Sequence, residues 1–340
     1  MTQDVDQQVT GRRDGTTVPV TTSTTERPAR GRAAATAVDL ARRLRRAAGR
    51  PALRPWLLGA TALVFGALVV VSFRALPANR TIRPGLLAVL VLVATPSTLV
   101  LNALQYRTMA AALDHRIGLR SAMRVSIVAT VVNYLPIPAP GGIAVRTAAL
   151  ARRGSTVRSA VSINAITGVV WAGVAALVAG LALVGDDELA ARGGVAAAVG
   201  AVAVAGSALL VRRTTARWRR LFAELVATQA GLVVTSGIRV WLSLAAIGQP
   251  TSLGAALAIS GSTVVAAMVG IAPAGLGLRE AIAGGLAAGV GVPVASAVAA
   301  SALDRVASQA GLLLCAPVTG LRWREVTGGR PAPADVPELP

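Results

Sequence analysis

The sequence predicts an all-α, polytopic membrane bundle of about six full spans plus two re-entrant hairpins broken by proline and glycine. That makes eight hydrophobic segments, related by an inverted repeat. Three observations carry this expectation. Hydrophobic residues make up 54% of the 340 positions and charged residues only 14%, and the mean hydropathy of +0.63 exceeds that of ordinary soluble domains. The apolar residues fall in runs long enough to cross a bilayer. The cations, all 34 of them arginine and opposed by 15 acids for a net charge of +19, segregate to alternate loops.

The arginines interrupt hydrophobic runs and do not cover a polar face. Their expected work is to set topology and to meet anionic headgroups, so membrane lipids, and not nucleic acid, are the expected partners. One cysteine, Cys315, and one histidine, His115, leave no basis for a disulfide, a zinc site or redox chemistry. No cofactor, no metal and no catalytic constellation is expected.

Taken in order, residues 1–32 are polar, rich in Thr, Arg and Pro, and without a signal-peptide core; they read as a disordered tail. Residues 33–54 form a basic juxtamembrane segment. In it Ala37, Leu40, Ala41, Leu44, Ala47 and Ala48 recur at helical spacing among Arg42, Arg43, Arg45 and Arg46. Two readings fit: a helix lying on an anionic leaflet, or a positive-inside anchor for the next span. The transmembrane domain covers 55–321, with spans at Trp56–Phe73, Gly85–Tyr106, Val157–Val184, Val195–Val211, Leu221–Ile247 and Pro293–Leu321. Residues 322–340 hold Pro331, Pro333, Pro337 and Pro340 and read as a disordered tail.

Two further stretches are broken near their middles: Ser121–Gly154 by Pro136, Pro138 and Pro140, and Leu253–Gly291 by Pro273 with Gly275 and Gly277 behind it. Two complete crossings need about 40 residues and a turn, whereas these stretches have 34 and 39 with charge inside each. Each is therefore expected to enter, break and return to its own side. With six crossings and both termini cytoplasmic, the cytoplasmic segments hold 27 arginines and the exterior loops 4, as the positive-inside rule requires. Trp56, Trp218 and Trp323 then fall at the cytoplasmic interface.

The broken stretches resemble each other. Pro140-Gly-Gly-Ile-Ala-Val-Arg146 aligns with Pro273-Ala-Gly-Leu-Gly-Leu-Arg279, and Gly154-Ser-Thr-Val-Arg-Ser-Ala-Val161 with Gly291-Val-Pro-Val-Ala-Ser-Ala-Val298. Because the copies enter from opposite faces, the repeat is inverted, an arrangement associated with alternating access. Charges in the hydrocarbon zone are functional candidates by default, which selects Arg146 and Arg279, six residues past their breaks. Gly142 and Gly275 are expected at the half-helix starts, where free N–H groups attract anions. Two readings stand for the arginines: a cradle for a lipid phosphate, or pairing with a nearby carboxylate or carbonyl that locks the hairpin. Glu280, Asp304 and Arg305 form a second cluster, with Asp304 expected to pair internally with Arg279 or Arg239, and Arg239 placed to snorkel outward. Asn133, Asn164, Gln229 and Gln309 read as interhelical glue, and Gly285 with Gly289 as a small-xxx-small pair.

Asn133-Tyr-Leu-Pro-Ile-Pro-Ala-Pro-Gly-Gly-Ile-Ala-Val-Arg146 and Ala272-Pro-Ala-Gly-Leu-Gly-Leu-Arg-Glu280 resemble the paired motifs of the lysylphosphatidylglycerol synthase transmembrane, flippase-like family, over roughly residues 50 to 325. The first motif differs from the family's usual glycine followed by an acidic residue, with Ile143 after Gly142. The resemblance implies a multi-span protein of the cytoplasmic membrane. It also implies that Pro140, Gly142 and Arg146, with Pro273, Gly275, Gly277, Arg279 and Glu280, line a lipid path. Fused family members move aminoacylated phosphatidylglycerol and carry a soluble aminoacyl-transfer domain after the membrane part; the 19 residues after Leu321 are not expected to supply that chemistry.

The functional expectation is a flippase or transporter of an anionic phospholipid or lipid-linked intermediate. Two alternatives stand beside it. One is an intramembrane lipid-linked glycosyl or phosphoryl transferase using Glu280 and Asp304. The other is a non-catalytic partner of an envelope-biosynthesis enzyme.

Overall fold

The computed structural model describes residues 82–134, 141–184, 188–212, 217–269 and 277–320, with isolated positions at 67, 70 and 74. The expected segments 1–32, 33–54 and 322–340, and nearly all of the span Trp56–Phe73, lie outside the described residues. Among the described residues the chain forms nine helices and no strand: α1 Pro84–Ala111, α2 Leu119–Tyr134, α3 Gly141–Ala151, α4 Val157–Val184, α5 Ala190–Arg212, α6 Trp218–Ala246, α7 Leu253–Val269, α8 Leu278–Gly289 and α9 Val294–Val318.

Length sorts them into two kinds. Helices α1, α4, α5, α6 and α9 have 28, 28, 23, 29 and 25 residues, about 35–44 Å at 1.5 Å per residue, enough to cross a hydrocarbon core of about 30 Å. Helices α2 and α3 have 16 and 11 residues, and α7 and α8 have 17 and 12. At about 17–18 Å, neither α3 nor α8 reaches across. The pairs α2–α3 and α7–α8 are the two broken hairpins, and the breaks themselves, at 135–140 and 270–276, lie outside the described residues.

Cross-helix contacts fix the face from which each hairpin enters. On one face, face I, Arg83 N–H donates to Ala246 O (2.9 Å), joining the start of α1 to the end of α6. There too Ser296 Oγ donates to Gln249 Oε1 (3.3 Å), joining the start of α9 to the α6–α7 loop. On the opposite face, face II, Arg153 Nη2 donates to Ser121 Oγ (3.1 Å), and His115 Nε2 and Ser155 Oγ share a hydrogen bond of 2.6 Å. Also on face II, Arg120 Nε (3.2 Å) and Arg124 Nε (2.7 Å) clamp Thr319 O at the end of α9. Hairpin α2–α3 thus begins and ends on face II, and hairpin α7–α8 on face I. Face II gathers the arginines of 107–124, 152–158 and 217–220, while face I carries Arg83 and Arg192.

The inverted repeat is visible in local geometry. Gly154 and Gly291 both take left-handed φ, 96° and 70°, a conformation that side chains with a Cβ disfavour. Each ends its hairpin three residues before a long helix, α4 at Val157 and α9 at Val294. Each hairpin also has its own apolar core. Ala103, Tyr106, Ile117, Leu150 and Ala160 join α1–α4, and Val240, Leu244, Ile259, Ala283 and Ala297 join α6–α9.

Helix α5 packs on α4 through glycines seven residues apart on each helix. A Cβ at Gly180 would meet Ala197 N and Gly193 O at 2.5 Å, one at Gly193 would meet Gly180 O at 2.6 Å, and Gly173 faces Gly200. Backbone therefore rests on backbone, the close approach that lets helices associate in lipid. The pair named from sequence, Gly285 and Gly289, has nothing within 4 Å of where a side chain would begin; small residues build a seam only where another backbone faces them. The other side of α5 exposes Val195, Val199, Val202 and Leu209, apolar groups that a bilayer, unlike water, accommodates.

Candidate functional site: a charged centre at the second broken hairpin

Asp304 lies ten residues into α9, about 15 Å from its start, and is 2% exposed. Two guanidinium groups reach it: Arg239 of α6 at 2.8 Å and Arg279 of α8 at 2.7 Å. Arg239 also donates to Thr98 Oγ1 of α1 (3.3 Å) and to Ser308 Oγ one turn along α9. The neighbouring residues pair in parallel. Arg305 meets Glu280 at 3.0 Å, and both are buried. Consecutive residues of α8, Arg279 and Glu280, thus hold consecutive residues of α9, Asp304 and Arg305.

Glu280 has a second task. Its Oε2 accepts the N–H of Gly277 (2.9 Å), which sits at φ 76° and caps α8. An N3 glutamate reaching back to its N-cap satisfies a donor that no helical carbonyl can. The half-helix therefore starts just after Gly277 and not at Gly275, because the glycine with left-handed φ and the capping carboxylate decide the start.

Helix α3 is built differently. Gly142 N–H donates to Asn133 Oδ1 near the end of α2 (2.6 Å). Any side chain at 142 would collide with Asn133 Nδ2 (2.6 Å) and Ala129 O (2.9 Å), so glycine is required where the arms of the hairpin touch. The donor expected to meet an anion at Gly142 is occupied by an amide of the chain. One turn on, Arg146 reaches α1, where Nη2 donates to Asn102 Oδ1 (3.2 Å) and Nη1 to Gln105 Oε1 (3.4 Å). Its Nε is buried without a hydrogen-bond partner.

The structure brings Arg279, Glu280, Asp304 and Arg305 into one centre with Arg239, and holds Arg146 apart against α1. Pro140, Pro273 and Gly275 lie outside the described residues. The pairing of Asp304 is present, with both arginines at once. Arg239 turns inward to Asp304 and does not snorkel, because a buried counter-ion outweighs a route to the surface. Asn133 and Asn164, which donates to Thr147 Oγ1 at 3.4 Å, bridge helices as expected, as does Gln229 to Thr167 O at 3.4 Å. Gln309 is exposed instead and makes none of these bonds.

Sequence reasoning passed over Thr98, Asn102, Gln105 and Ser308. The signal was present: Thr98, Asn102 and Gln105 recur at helical spacing inside an apolar run. A turn of α1 just before them is widened at Leu90–Ala94, where Thr95 N–H bonds Leu90 O. Pro96 lacks the donor that an α-turn needs there.

A metal at this centre would find two carboxylates, each already engaged by guanidinium. A shallow apolar hollow among the described residues is lined by Thr108, Met109, Ala112, Ile163, Leu221, Phe222 and Leu225. It lies toward face II, away from Asp304.

No curated protein and no solved structure matches the chain. The profile of the lysylphosphatidylglycerol synthase TM region matches residues 56–316, spanning both hairpins and the residues of the charged centre. With more than half of its length covered, the chain belongs to the lysylphosphatidylglycerol synthase transmembrane-region family.

Proposed function

We propose that this protein moves an anionic phospholipid or lipid-linked intermediate between the leaflets of the cytoplasmic membrane. The observation that carries the reading is a pair of half-length hairpins that enter from opposite faces, each with an arginine on its returning half-helix, Arg146 on α3 and Arg279 on α8. Such hairpins give a headgroup two half-paths, one from each side, instead of one continuous pore. Family membership supports a lipid-related role in the membrane. Face II is the cytoplasmic face in this reading, since the arginines collect there, and both termini are cytoplasmic.

Transport fits the centre better than chemistry does. Asp304 and Glu280 are each engaged by guanidinium groups at 2.7–3.0 Å, so both carboxylates are committed to partners within the chain.

The test uses the full chain in vesicles containing fluorescent phosphatidylglycerol. Adding an impermeant quencher to protein-containing vesicles should bleach both leaflets, while empty vesicles lose only the outer share. Arg146→Gln should slow the exchange at least about tenfold, equivalent to about 1.4 kcal/mol in the barrier. Unchanged lipid asymmetry would overturn the reading. A covalently altered lipid would favour the transferase. Neither change, together with co-purification of an envelope enzyme, would favour an accessory role.

A further inference from the structure

Arg239, Arg279 and Arg305 each have a carboxylate at 2.7–3.0 Å. Arg146, the fourth arginine inside the bundle, has none among the described residues. Its two bonds go to neutral amide oxygens at 3.2 and 3.4 Å, and its Nε–H has no acceptor. Asn102 is fixed in this orientation because its Nδ2 donates to Thr98 O (2.9 Å), which leaves Oδ1 toward Arg146. A second unsatisfied group flanks the same stretch of α1: Tyr106 Oη, four residues after Asn102, is buried without a hydrogen-bond partner. Unsatisfied buried donors on adjacent groups point to a missing acceptor. A guanidinium held by two neutral amides, with its Nε edge unused, presents the forked donor geometry that oxyanions accept.

We infer that Arg146, positioned by Asn102 and Gln105, is the binding site for a single oxyanion, a phosphate or carboxylate group, and that Arg279 is not its equivalent. The inference deepens the translocation reading, on whose site it rests, by giving the two copies of the repeat different work. The first copy recognises the anion. The second copy, with its arginine committed to Asp304, ties hairpin α7–α8 to α9.

The experiment measures thermal unfolding of the full protein in a neutral detergent while a ligand is titrated. One arm uses inorganic phosphate, one a short-chain phosphatidylglycerol, and one a monoacylglycerol without phosphate. Saturable stabilisation by phosphatidylglycerol or by inorganic phosphate, with none from the monoacylglycerol, is the expected result, and the stronger arm identifies the source of the anion. Arg146→Gln should weaken that binding at least about tenfold. It should leave the unliganded melting temperature unchanged or higher, because a partly buried charge with no carboxylate partner among the described residues is removed. Arg220→Gln, at an exposed surface pair with Glu224, should bind as the parent does.

Equal stabilisation of Arg146→Gln and the parent would overturn the inference, as would no stabilisation by either phosphate source. So would a fall in unliganded stability for Arg146→Gln, which marks a purely structural arginine. Binding that depends on Arg146 in a protein that leaves vesicle lipids unmoved would overturn translocation and keep this site.

Discussion

Asp304 is shared by Arg239 and Arg279, so removing its charge leaves two buried cations without their counter-ion. Breaking a buried pair by deleting one partner costs about 3–5 kcal/mol, because the surviving charge stays desolvated. Asp304→Asn should therefore lower unfolding stability by that amount in detergent. Arg279→Gln alone should cost less, since Arg239 still neutralises Asp304. The double variant should lose less than the sum of the two, by an interaction energy of about 1–3 kcal/mol. Additive losses would mean the groups are not coupled. The sequence made Asp304 conspicuous as a charge in an apolar run and named its partners, since few carboxylates and arginines lie at that depth. It did not reveal that Arg146 would be left with amides alone. That outcome depends on which helix faces α3, and α1 offers only Asn102 and Gln105 there.

At the scale of helices, the broken hairpins were legible because proline removes a donor and blocks the preceding helical conformation wherever it stands. Seams between helices were not legible in the same way. An Ala/Gly-rich chain offers small residues at every helical spacing, and only the facing element decides which of them matter. Gly180 and Gly193 lie backbone to backbone, whereas Gly289 faces open space. Gly180→Leu should separate α4 from α5 and destabilise by about 1–3 kcal/mol, as overpacking does. Gly289→Leu should leave the unfolding midpoint nearly unchanged. Equal tolerance of both would show that the α4–α5 seam is looser than its geometry. The start of α8 teaches a related lesson: counting from Pro273 points to Gly275, but the left-handed φ of Gly277 and the reach of Glu280 set the first turn.

For the molecule as a whole, the arginine distribution was the most readable feature, because loop charge is a property of sequence alone and topology follows from it. The long-range pairings that close the bundle, such as Arg239 with Asp304, join residues 65 apart and depend on the assembled fold. What holds the two levels together is the opposed entry of the hairpins, and accessibility labelling probes it directly. In a Cys315→Ser background, Arg152→Cys sits at the outer end of hairpin α2–α3, and Leu253→Cys at the start of hairpin α7–α8; both positions are exposed. An impermeant thiol reagent applied to intact cells should modify position 253 and spare position 152. Inverted membranes should give the reverse. Labelling of both positions from the same side would contradict the inverted arrangement, and with it the two half-paths on which the proposed lipid movement depends.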